Sequence, residues 1–539
     1  MKTSHYLITI IGIICFFAPC STFGEDSPTY AIVGCTIVPV KGMPIEKGTI
    51  IIRNGLIEAL GPEENIPIPA DAEIIESNGL YAYPGLIDAQ TSTMLDSPKA
   101  ENQSSSRPSP ASKTEKKPSW QHADFMAFDH LKLKKSIIES FRKEGITTVC
   151  IAPDKNIFAG QSVILNLSGE RAKPMVIKNP FALHINFVTA RGEYPSSLMG
   201  TMALLRQSFL DTEHYCLHRG KYNQAPSGLK RPVYDPFLET LSPYVSQKSP
   251  VVFNCANLED IKRALRLKAE FKLNAYVSGA SEAWRVSGSL KKAGAPLLVS
   301  LRLKPPLTSL FVNQGEDLKK KAEEEIYPAN AAKLHEEGIE FALVSSGLSK
   351  PSDMMKNMQK AITAGLPRET ALKSMTVNPA IALGIDAITG SLEPGKIANI
   401  VLAKGVLFEE ETKIQRVFVD GISYEIKQAP KDAQPPAINI AGKWEGLVKS
   451  PMGEITVAIV FQQEGNQITG TITSEIGKWE VTGGALSGKN LSFTIAANIM
   501  GNDMEMEFYG TAEQDSIEGS ISTSFGNAEL QATRAPGRN

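Results

Sequence analysis

Histidine is scarce: seven in 539 residues, with His5 already spent in the opening segment. Six remain to serve any chemistry downstream, and none belongs to an HExxH pair. Cysteine is scarce too. Cys15 and Cys20 fall in the opening segment, and Cys35, Cys150, Cys216 and Cys255 are far apart with no CxxC. That excludes a disulfide framework and a zinc knuckle. Cys150 and Cys255 each sit in an apolar run, where a buried small hydrophobe is the plainer reading. Charge of neither sign dominates, since the net value is −2, so there is no basic field for a nucleic acid. Beyond the opening segment no run reaches about 18 apolar residues, so no transmembrane helix is expected. A GxSxG elbow and a glycine-rich phosphate loop are also lacking, and Phe158-Ala-Gly-Gln161 reads as a lone turn.

What is present begins with a leader. Lys2, the apolar run Tyr6 to Phe17 and the small residues around Ser21 to Gly24 read as a signal peptide over 1–24. The protein is therefore expected to be exported, periplasmic or extracellular. Phe17-Ala18-Pro19 is a poor approach to Cys20, so a lipid anchor there is not expected. The chain is too long for one core. From Tyr30 to Leu80 short strand-like runs alternate with turns at Asn54-Gly55 and Gly61-Pro62. A Ser/Pro/Lys/Glu-rich insertion over 96–120 has too little apolar content to fold alone. Strand-like and helix-like segments then alternate to about residue 385, as expected of a parallel sheet covered on both faces. A linker at 429–436 precedes 437–539, where the period switches to two and about eight short strands recur between turns.

The stretch Tyr81-Ala-Tyr-Pro-Gly-Leu-Ile-Asp-Ala-Gln-Thr-Ser92 resembles the first barrel strand of the amidohydrolase superfamily, Pro-Gly-(aliphatic)-Ile-Asp-Ala-His-x-His. A second match lies at Thr376-Val-Asn-Pro-Ala380 and Gly390-Ser-Leu-Glu-Pro-Gly-Lys-Ile-Ala-Asn-Ile-Val401, with Asn399 where the family usually has Asp. The resemblance covers about residues 28–428. It is of the imidazolonepropionase-like and dihydroorotase-like kind, and implies an α/β fold: a (β/α)8 TIM-type barrel over 81–385, with a composite β-sandwich from 25–80 and 386–428. The segment 437–539 is expected to form an antiparallel β-barrel, and Gly442-Lys-Trp-Glu-Gly446 loosely resembles the start of lipocalin-type barrels.

The family's chemistry, as the resemblance implies it, is metal-assisted hydrolysis of C–N and related bonds at the barrel mouth. Such a site needs strong N, O or S ligands and a carboxylate that moves protons. This chain departs at four of those positions: Gln90 and Ser92 replace the paired histidines, Asn254 a strand-ending histidine, and Ser346 the final aspartate. Amides and hydroxyls are poor ligands for a borderline cation, so no cofactor is expected. Pocket candidates are Asp88, His184, Cys255, Ser278 and Glu282, the last equally suited to interact with the helix that follows it. His214 and His218 share a helix face but lack a third ligand, so a packed or solvated face is the plainer reading.

Three functional readings follow. The first is an exported, metal-free barrel used for small-molecule binding or assembly, oligomeric or not. The second is an active hydrolase on C–N or ester bonds with an altered site holding one or two divalent metals such as zinc. In the third, the C-terminal barrel binds a small apolar ligand or a partner.

Overall fold

The computed structural model describes residues 28–95, 118–190, 192–303, 316–348, 350–426, 435–450, 453–475, 477–499, 502–523 and 526–535. The expected leader, Cys20, and most of the 96–120 insertion and the 429–436 linker lie outside them.

The central unit is the (β/α)8-type barrel. Seven parallel staves form it: Leu86–Thr91, Ile146–Ile151, Leu183–Asn186, Val251–Cys255, Ala275–Gly279, Leu297–Ser300 and Ala342–Val344. Runs such as Ile-Thr-Thr-Val-Cys-Ile are buried at every position, as expected when both faces of a parallel strand are covered. The remaining stave runs the other way. Phe158–Gln161 pairs antiparallel with Leu183–Asn186, and Val163–Asn166 pairs antiparallel with Ile146–Ile151. The lone turn expected at Phe158–Gln161 is therefore a buried strand. Its four residues are too short and too glycine-broken for a period to show, and ladder pairing decides the conformation. The seam closes where Ser345 follows the last stave and donates from its backbone N–H to the Asp88 carboxylate of the first, 3.0 Å.

Alternation along each stave sorts the core into two layers. Leu183, Ile185, Val251, Phe253 and Val277 join one cluster with residues of the outer helices, such as Leu205, Ile261 and Leu267. Val252, Leu298 and Ala342 join a second, inner cluster with Ile87 and Ile164. The lower end of the barrel is stoppered by the helix Val377–Leu383, to which Tyr276 Oη donates at the Ala382 carbonyl, 2.7 Å. The lumen is a packed core below and polar only above, and each large side chain buried there contributes about 2 kcal/mol.

The flanking sheet draws on both ends of the unit. Its strand order is Ile422–Glu425, Lys413–Val419, Ile400–Lys404, Tyr81–Pro84, Tyr30–Ile37, Ile45–Arg53 and Leu56–Pro62, with Glu73–Glu76 on Tyr30–Ile37. Tyr81 to Ser92 is thus not one strand. The chain leaves the flanking sheet at Pro84 and starts the barrel at Leu86, with Gly85 between. A Cβ on Gly85 would collide with the Thr147 side chain, so glycine suits this crossing.

Residues Gly442 to Arg534 form a closed eight-stranded antiparallel barrel, each strand paired with its sequence neighbour and the first with the last. Trp444, Phe461, Phe493 and Phe508 stand in one apolar cluster with Ile459, Ile472 and Leu530. These side chains fill the barrel as a core.

Candidate functional site

At the upper rim of the lumen, register brings three polar side chains into one layer. Asn186, Asn254 and Ser278 are ladder neighbours on successive parallel staves. Gln90 meets them from the first stave. Ser278 Oγ donates to Gln90 Oε1 (2.6 Å), Gln90 Nε2 to Asn254 Oδ1 (2.8 Å), and Asn254 Nδ2 to Asn186 Oδ1 (2.9 Å). Asn186 Nδ2 completes the relay at the Asn156 carbonyl, 2.7 Å. Every amide here accepts from one neighbour and donates to the next, so the layer is satisfied internally and each bond polarises the following one.

His184 lies two residues before Asn186 on the same face of its stave, one layer deeper, and is 1 % exposed. Among the described residues neither ring nitrogen has a hydrogen-bond partner within bonding geometry. Burial drives its pKa down to about 3, with the Asn254 amide acting the other way, so the ring is neutral at physiological pH. Asp88 is fully buried on the closing seam. Its Oδ1 accepts from the backbone N–H groups of Gln90 and Ser345, and its Oδ2 from Ser345 Oγ. Burial still lifts the carboxyl to about 6 against these three donors.

The other positions singled out in the sequence lie apart from the relay. Ser92 is half-buried and donates through Oγ to Asp154 Oδ2 (3.0 Å) beyond the next stave. Ser346 engages through its main chain, its carbonyl accepting from Ser300 Oγ, 2.6 Å. Cys255 belongs to the cluster shared with the outer helices, and burial raises its thiol well above the usual value, so it is no ready nucleophile. Glu282 serves a helix, but the one before it in sequence: Oε2 accepts from the Leu258 N–H (2.8 Å) at the start of Leu258–Phe271, and Oε1 from Tyr327 and Arg285. Nothing in the sequence tells a carboxylate which helix terminus will reach it. Asn186 was missed, and its signal was available: it shares the strand face of His184, two residues on. Asn399, the other departure from the family pattern, is buried between the two units, donating to Asn166 Oδ1 and accepting from the Asp420 N–H.

The implied divalent metal can be tested against these donors. The carbonyl oxygens of Gln90, Asn254 and Asn186 are already engaged, all three side chains are neutral, and His184 supplies one imidazole alone. Among the described residues no three His, Cys, Asp or Glu side chains are close enough together to hold a metal ion. The residues at the usual ligand positions do not fit a catalytic zinc, which needs about three strong ligands.

The barrel and its two-ended flanking sheet make an amidohydrolase-superfamily fold. Residues 272–423 match the model of the amidohydrolase family. Among solved structures, an amidohydrolase from Thermotoga maritima is 25% identical at a TM-score of 0.61, spanning 74% of this chain and 100% of its own. Adenine deaminase 1 of Desulfotalea psychrophila is 38% identical over 78 residues, 13% of each chain. The 5-methylthioadenosine/S-adenosylhomocysteine deaminase of Moorella thermoacetica is 38% identical over 61 residues, 11% of this chain and 14% of its own. The chain thus matches only a small fraction of the length of these curated relatives.

Proposed function

We propose that this is an exported protein whose barrel mouth has given up metal-assisted hydrolysis and serves to bind a ligand or to support an assembly. The observation that carries the reading is the relay Ser278–Gln90–Asn254–Asn186. Two of the four side chains at positions that the family uses for ligands, Gln90 and Asn254, are spent on each other and on Ser278 and Asn186, in a layer with no charge to hold a cation. No helix among the described residues is long and apolar enough to cross a membrane. Elemental analysis of the purified, full-length protein tests the proposal. The expected result is zinc, manganese and iron far below stoichiometry, even after dialysis against each ion. About one ion per chain overturns it, because tight retention needs the strong ligands the relay lacks.

A second reading is favoured by the comparisons: a hydrolase acting on non-peptide C–N or ester bonds through an altered metal site. It rests on the family match over 272–423 and on the local similarity to deaminases. Release of ammonia from aminopurines, or turnover of cyclic imides and acyl-amino acids, that disappears with a chelator would decide for it. A panel that stays silent with and without added divalent metal would decide against it.

A further inference from the structure

Between the staves Leu183–Asn186 and Val251–Cys255 the chain makes a long excursion that neither reading of the barrel mouth uses. It consists of the 27-residue helix Leu198–Gln224, a loop, and the helix Pro236–Val245. The loop lies back against the first helix: His218 Nε2 meets the Lys230 carbonyl at 3.0 Å. Its far end is pinned by Asp235, whose carboxylate caps the second helix at the N–H groups of Phe237 (2.9 Å) and Leu238 (3.1 Å). Tyr215 Oη donates to Glu239 (3.0 Å), and Arg219 pairs with the same carboxylate, tying the two helices together. The tip is therefore an ordered surface.

What that surface presents is unusual for this chain. From His214 to Tyr234 there are four Lys and Arg residues and no Asp or Glu, although the protein as a whole carries a net charge of −2. Arg219 is paired with Glu239. Lys221, Lys230 and Arg231 are exposed and enter no ion pair among the described residues. Beside them stand large apolar side chains turned to solvent: Leu217, Leu229, Val233 at 78% exposure and Tyr234 at 69%. Single exposed apolar residues are ordinary, and four within one helix–loop–helix excursion, interspersed with unpaired cations, is the feature that calls for a partner.

We propose that this tip docks on an anionic lipid surface. Basic side chains beside exposed Leu, Val and Tyr are the chemistry that membrane interfaces select: the charges are drawn to acidic headgroups, and the apolar groups enter the headgroup and acyl boundary. Tyrosine suits that boundary, with an apolar ring and a polar end. A neutral or cationic partner would gain nothing from three unpaired cations. The proposal rests on side chains of the tip itself and on neither reading of the barrel mouth.

Co-sedimentation of the full-length protein with vesicles tests it. Wild type is expected to pellet with phosphatidylcholine vesicles containing phosphatidylglycerol. With phosphatidylcholine alone, affinity is expected to fall by about tenfold or more, given the pull of an acidic surface on each basic side chain. The pair of charge reversals K230E/R231E is expected to cost about tenfold or more on the anionic vesicles. V233S/Y234S is expected to weaken binding and to leave a residue that added salt removes. Both pairs alter exposed side chains, so melting temperatures should stay with the wild type. No pelleting by wild type, equal binding to neutral and acidic vesicles, or wild-type affinity in both variants each overturns the proposal. So does a concentration-dependent dimer that V233S/Y234S dissolves, which would assign the tip to a second copy of this chain.

Discussion

Asp88 holds a proton more tightly folded than unfolded, since burial lifts its carboxyl from 3.8 to about 6. Its effect on stability therefore runs opposite to that of a salt-bridged aspartate. The folded state is favoured at acid pH, and that advantage is lost as pH rises from about 4 through about 6, where folding must bury a charge. The full span is worth about 3 kcal/mol. Asp88→Asn keeps an acceptor for the Ser345 and Gln90 N–H groups and removes the titration. The difference between wild-type and variant unfolding free energies, followed across this interval, should move in the variant's favour as pH rises. A flat difference curve would show that the Asp88 carboxyl titrates alike in the folded and unfolded chains. The sequence placed Asp88 on a barrel strand but gave no hint of Ser345, which lies 257 residues away. The amides of the relay were legible as departures from a pattern. Their mutual bonds were not, because a hydrogen-bond partner on another stave is set by register, and register belongs to the fold.

Among elements, the junction at Gly85 is the most exacting. A strand of one sheet ends at Pro84 and a stave of another begins at Leu86, with Thr147 pressed against the single residue between. Gly85→Ala is expected to cost about 1–3 kcal/mol in denaturant unfolding, as a methyl group forced into filled space does. Thr147→Ala in the same chain should recover part of that loss, because the two sites share the clash. Strict additivity of the two changes would mean that the strain is relieved elsewhere. Most other elements could be read from the sequence. The continuous apolar runs became parallel staves, and helices such as Leu258–Phe271 follow them as the alternation to about residue 385 implies. Phe158–Asn166 could not be read. Two four-residue strands around Ser162 carry no period long enough to separate strand from turn, and the ladders on both sides decide. The helix Pro236–Val245 also went unforeseen, with Pro243 inside it breaking the usual signature.

On the scale of the whole molecule, two large cores share no residue: that of the (β/α)8-type unit and that of the C-terminal barrel. Domains with separate cores unfold as separate cooperative units unless a wide interface couples them. Trp444 is the largest fully buried side chain of the second core, its Nε1 donating to the Ile440 carbonyl at 2.8 Å. Trp444→Ala should cost that barrel about 3–5 kcal/mol. Calorimetry should then show one transition moving down while the other stays. A single shared transition that shifts as a whole would mean the two units fold together. The switch from mixed to two-residue periodicity near residue 437 announced this division, because alternation is local and survives without knowledge of the partner strand. The amide relay joins staves far apart in the chain, so its four side chains form one coupled unit. Loss of the Gln90 amide would leave the Ser278 hydroxyl without its acceptor and Asn254 Oδ1 without its donor, and loss of the Asn254 amide would leave Gln90 Nε2 and Asn186 Oδ1 unmatched in turn. Substitutions at these positions should therefore be non-additive, and the rim of the lumen answers to change as a single site rather than as four.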